Sequence, residues 1–169
     1  RFAGYQPQYG AQYPTSSFGR RLRDVAILLK AQAGIEVLEV DFGGWDDHDR
    51  LGPITGPFAT RMRDFALSMA AFHTDVRDYL DRVTVVVMSE FGRRMDENYS
   101  GGTDHGRGGL MMVLGGNVHG GRIHGRWPGL APNQLDDKAI RVTTDYRDVC
   151  GEVLQRRLGM QDLTSVFPG

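Results

Sequence analysis

Residues Val83 to Met88 form an apolar run dominated by β-branched side chains, followed at once by Ser89-Glu90-Phe91-Gly92-Arg93-Arg94. A continuous run without polar alternation fits a strand covered on both faces, as in a parallel sheet packed between helices. Such sheets bind ligands just beyond the carboxyl ends of their strands. Glu90 therefore falls where a metal ligand or an acid/base group is placed, unless Arg93 or Arg94 takes up its carboxylate within a loop.

Around that run the chain reads as alternating helices and strands. Residues 1–18, broken by Pro7, Pro14 and Thr15-Ser16-Ser17, read as an irregular arm. Residues 19–169 read as one α/β domain, which a chain of 169 residues is long enough to form. Leu22, Val25, Ala26 and Leu29 predict a helix from Gly19 to Ala33, with Gly34 as its stop. A strand is expected from Ile35 to Phe42, halted by Gly43-Gly44. Phe58, Met62, Phe65, Met69, Phe72, Val76 and Tyr79 alternate by fours and threes, the mark of a long amphipathic helix whose stripe is core. His73 flanks that stripe as a packed or half-exposed side chain. Asp81-Arg82 turns the chain into the Val83 run. The order strand, helix, strand implies a right-handed parallel crossover, which would bring the loops after both strands to one sheet edge.

Leu110 to Leu114 predicts a third strand, residues 118–127 a short hairpin, and Ile140 to Val142 a small edge strand. A last helix runs to Leu158, capped by Thr143 or Thr144 and stopped by Gly159. Glycines, 23 in all and dense between 92 and 129, imply specially bent loops.

Composition narrows the partners. Hydrophobic residues at 40% and charged residues at 24% describe an ordinary globular protein. A formal net charge of -1 gives no basis for sequence-independent attraction to nucleic acid or anionic membrane. No membrane span is expected, since Asp24, Lys30, Glu36 and Asp41 interrupt the most apolar early region. The same charges make Arg20-Arg21 the start of an amphipathic helix instead of a twin-arginine leader. The lone Cys150 excludes an internal disulfide and reads as a small buried side chain. The chain opens on Arg1 in an aperiodic Gln-, Tyr-, Gly- and Pro-containing segment, so a piece of something larger is expected.

Three loops carry groups suited to a metal: Asp46, Asp47, His48 and Asp49 after the first strand, Glu90 after the second, and Asp104 with His105 before the third. Mixed carboxylate and imidazole sets suit Zn, Mn or another first-row divalent ion, which can polarise a phosphoryl-type oxygen or activate water. The absence of sulfur ligands argues against a structural zinc knuckle. Arg93, Arg94 and Arg107 could contact a small anionic ester. His119 and His124 are reserve ligands. The bland alternative is that these acids and histidines only brace glycine-rich loops.

Together, GGWDDHD at 43–49, SEFGRR at 89–94, GGTDHG at 101–106, LMMVLGGNVHGGRIHGRWPGL from 110 and VTTDYRDV at 142–149 resemble the family indexed 1501 among domains of unknown function. That family is placed in the alkaline-phosphatase-like superfamily of metal-dependent phosphatases, sulfatases and phosphomutases. The resemblance implies a three-layer α/β sandwich with a mainly parallel sheet, incomplete at its amino-terminal side, and an exported or periplasmic location. It carries Asp46 and His48 onto the superfamily's first metal pair, Glu90 onto the acidic strand end, and His105 onto the later histidine. Two departures stand out: Phe91 occupies the place of a second-metal histidine, and the first pair is spaced Asp-x-His. A competing alignment makes Asp104-His105 the strand-end pair and His119 or His124 the last ligand.

By that resemblance the nucleophilic Ser or Thr and a further metal-binding Asp belong to a missing amino-terminal half. The implied function is a metal-dependent hydrolase of phosphate or sulfate esters, with Arg93 and Arg107 at the anionic group. The alternative is a non-catalytic exported binding or scaffold protein that keeps the fold and part of the metal site.

Overall fold

The structure is a computed structural model that describes residues 4–168. It is α/β, with helices and small antiparallel sheets, and it divides into two compact units: residues 4–80 with Ser100–Gly102, and Asp81–Tyr99 with residues 103–168.

The first unit is built on two helices packed together, α1 (Ser17–Lys30) and α2 (Pro57–Asp75). Ser16 caps α1 by accepting the Gly19 N–H at 3.0 Å, and its own hydroxyl donates to Asp64 at 2.7 Å. Pro57 opens α2, where its missing N–H costs nothing. Phe18, Leu22, Ala26 and Ile27 of α1 are buried, as are Ala71 and Phe72 of α2 and Val76 beyond it. The predicted stripe thus faces the core at Phe72 and Val76, whereas Met62 is exposed. His73 lies exposed on the outer face.

At the carboxyl end of α2 sits Asp75, fully buried, and its carboxylate gathers four donors. Tyr5 and Tyr13 donate their hydroxyls at 2.8 and 2.9 Å, Gln8 its backbone N–H at 2.7 Å, and Lys30 its ammonium at 2.5 Å. Of the expected arm, residues 4–16 therefore carry no regular element but are tied to the core, whereas Ser17 and Phe18 already belong to α1. Residues 1–3 of that arm lie outside the described residues.

Ile35 to Phe42, expected as a strand, forms none. Propensity and alternation make a segment competent to be extended, yet a strand exists only when a neighbour supplies the backbone partners. The segment lies along α1, where Arg21 donates to the Asp41 carbonyl at 2.6 Å.

In the second unit β1 (Thr84–Val87) pairs antiparallel with β4 (Met112–Gly115), Thr84 opposite Gly115 and Val87 opposite Met112. This pairing replaces the expected parallel crossover among the described residues. With one neighbour and α3 (Tyr146–Leu158) against it, β1 is half-buried and not covered on both faces. A two-residue ribbon joins β2 (Gly92–Arg93) to β3 (His105–Gly106). The expected edge strand at Ile140 is reduced to an antiparallel bridge from Ala139 to Arg94, with the Ile140 carbonyl accepting from Gly108 N–H at 3.1 Å. Residues 118–127 contain no strand. The cap of α3 is Asp145, later than the expected threonines, and Gly159 ends it in the left-handed conformation as expected.

Candidate metal centre

The loop carrying Asp46 and His48 is fixed from below by aromatic rings. Phe42 stacks on Phe18 at 4.3 Å between centroids, Trp45 meets Phe42 edge-on at 5.3 Å, and Phe58 meets Trp45 edge-on at 5.9 Å. Each such pair adds about 0.5–1.5 kcal/mol beyond its buried area. The Arg61 guanidinium lies over the Trp45 ring and forms an ion pair with Asp47. Asp49 takes Arg50 as its partner at 2.9 Å. The acidic cluster is thereby sorted: Asp47 and Asp49 serve ion pairs, while Asp46 and His48 face one another, Nε2 to Oδ1, at 3.0 Å.

The backbone of this loop is pinned by Ser100–Gly102. Arg50 N–H donates to the Ser100 carbonyl at 2.9 Å and Leu51 N–H to the Gly101 carbonyl at 2.8 Å. Gly102 packs so closely on His48 that an added Cβ would stand 2.3 Å from the His48 carbonyl carbon. Only glycine fits there, a reason for GGTDHG that spacing alone did not disclose.

In the second unit Glu90 is exposed, beyond the end of β1, and makes no hydrogen bond or ion pair among the described residues. Neither guanidinium claims it: Arg94 pairs with Asp137 at 2.7 Å, and Arg93 donates to the Thr103 carbonyl at 2.6 Å. Asp104 accepts from Asn98 at 3.2 Å. Arg107, mostly exposed, approaches Asp136 at 3.5 Å. The reserve histidines are exposed, with His124 Nε2 at 3.3 Å from the His119 carbonyl.

His105 is exposed, and its imidazole stacks on the Phe91 ring at 3.9 Å between centroids and 14° between planes. The Arg93 guanidinium carbon lies 4.9 Å from the centre of that same ring. Gly92 permits this corner, since a Cβ there would be driven into the Gly108 carbonyl.

In donor chemistry these residues fit a hard or borderline divalent ion: carboxylate oxygens and imidazole nitrogens, exposed and without sulfur. Phe91 carries no signal in the sequence as a partner of His105, because the contact depends on how two short strands register.

Comparison with protein families matches residues 4–162 to the family described as Protein of unknown function (DUF1501). No curated protein and no solved structure matches the chain.

Proposed function

The chain belongs to that family, and from this premise we propose that it is part of a metal-dependent hydrolase of phosphate or sulfate esters. Asp46, His48, Glu90, Asp104 and His105 would hold a divalent Zn, Mn or other first-row ion, and Arg93 and Arg107 would bind the anionic ester. The observation that carries the reading is the exposed Asp46 and His48 pair at 3.0 Å, set on a loop that aromatic packing and Gly102 hold in place. The reading includes the alkaline-phosphatase-like sandwich with a mainly parallel sheet, of which this chain would be the carboxyl-terminal half, and an exported or periplasmic location.

A bound ion would polarise the ester oxygen and neutralise developing charge. The chain's own residues divide the remaining work. Asp46 and His48 orient one another, so neither must be ordered when a ligand arrives. Arg107 offers an exposed guanidinium whose ion pair with the half-buried Asp136 spans 3.5 Å, so exchange for an ester oxygen costs little. Arg93 is held by the Thr103 carbonyl and braces the ribbon that carries His105. The nucleophilic Ser or Thr would come from an amino-terminal half outside this chain.

The test is turnover by the full-length protein, loaded with Mn or Zn, against aryl phosphates and aryl sulfates. Metal-dependent hydrolysis of either class, reduced about a hundredfold by Asp46→Ala, is the expected result. No turnover with no metal retained on purification would defeat it. Phe91 in place of a ligand favours a second reading, a binding or scaffold protein, for which metal would be retained without turnover.

A further inference from the structure

Phe91, Arg93 and His105 share one face of the β2–β3 ribbon. The register sets Arg93 opposite His105, and the Arg94 N–H donates to the Asp104 carbonyl at 2.9 Å. In an antiparallel ladder the neighbour of a hydrogen-bonded pair is a non-hydrogen-bonded pair, whose side chains stand closer. Arg93 and His105 are that closer pair. Phe91, two residues before Arg93, projects to the same side and is the diagonal neighbour of His105, within reach of an aromatic ring. The observed stack at 3.9 Å realises this geometry, and Arg93, held by the Thr103 carbonyl, keeps its cation over the same ring.

We infer that Phe91 is a positioning residue that fixes the plane of the His105 imidazole, presenting its ring nitrogens edgewise to a divalent ion. This rests on the reading of His105 as a ligand. Phe91 offers no donor atom, so it contributes through orientation: a surface imidazole that rotates freely must be ordered when it binds, whereas a stacked one is ordered beforehand. The residue that stands where the resemblance expects a second ligand then serves the remaining histidine.

The experiment compares the wild type with Phe91→Leu and Phe91→Trp by titration with Zn and by NMR of the His105 ring protons, with thermal unfolding as a control. In the wild type those protons are shifted upfield by the Phe91 ring current. Phe91→Leu abolishes that shift and weakens Zn affinity about tenfold or more, and Phe91→Trp restores both. Equal Zn affinity in the wild type and Phe91→Leu overturns the role of Phe91 and leaves the metal reading standing. A wild type that binds no Zn while its His105 protons keep the shift overturns the metal reading and, with it, this role. A Phe91→Leu protein whose unfolding temperature falls while its Zn affinity holds shows packing alone, which also overturns the inference.

Discussion

Asp75 shows what one side chain can hold together. Its carboxylate is removed from solvent and satisfied by donors from residues 5, 8, 13 and 30, so its loss would strand a half-buried ammonium and two hydroxyls at once. Breaking a buried pair from one side costs about 3–5 kcal/mol, and Asp75→Ala should lower the unfolding free energy by that amount, read from the fluorescence of Trp45. The pH dependence follows from the signs. Burial raises the Asp75 carboxyl, but the bonds from Lys30, Gln8, Tyr5 and Tyr13 outweigh it and hold it below its ordinary value. That contribution is present above the ordinary carboxylate range and is lost as pH falls through the lowered value. Burial lowers Lys30, but its bonds to Asp75 and Tyr5 hold it above its ordinary value; burial first, then the bond to Asp75, raises Tyr13. Their contributions are present below the ordinary values near about 10 and are lost as pH rises through the raised ones. Denaturant titrations should therefore show a plateau with a fall on each side, and Asp75→Ala should flatten both. Nothing in the sequence singled out Asp75. Its role comes from a segment more than sixty residues earlier that local patterning reads as a loose arm.

Helices were legible and strands were only partly so, for a physical reason visible in α3 and in Ile35 to Phe42. A helix closes its hydrogen bonds within a few residues, so caps and periodicity locate it. Gly159 ends α3 as expected, and only the choice of Asp145 over Thr143 or Thr144 as cap was missed. A strand depends on a neighbour distant in sequence. The Val83 run becomes β1 at 84–87, but its antiparallel partner β4 is not written in its own residues. The cap gives a prediction at this scale. Arg147, by its side-chain bond first and its backbone N–H second, pulls the Asp145 carboxyl down to about 2. A lowered carboxyl stabilises above its ordinary value, and the contribution disappears as pH falls toward about 2. Circular dichroism should show helix loss over that interval. Asp145→Asn, an equally good cap that does not titrate, should remove that part of the loss, and an unchanged acid limb would contradict the assignment.

Across the whole chain the residues picked out for chemistry divide by what their neighbours do with them. Asp47, Asp49 and Arg94 are engaged in ion pairs. Glu90 is exposed with no partner among the described residues, and Asp46 faces His48. Residue type and loop position made these candidates legible, whereas the sorting among neighbouring acids depended on Arg61 reaching back to Asp47, and the role of Phe91 on strand register. Membership of the family extends over residues 4–162, and no described helix is long and apolar enough to cross a membrane. The central claim, that the acids and histidines bind a metal, is tested most directly by elemental analysis of the purified chain after loading with Mn or Zn and exhaustive dialysis. The account predicts stoichiometric metal in the wild type and its loss in Asp46→Ala and in His105→Ala. Zero metal in the wild type, or undiminished metal in both variants, would contradict it.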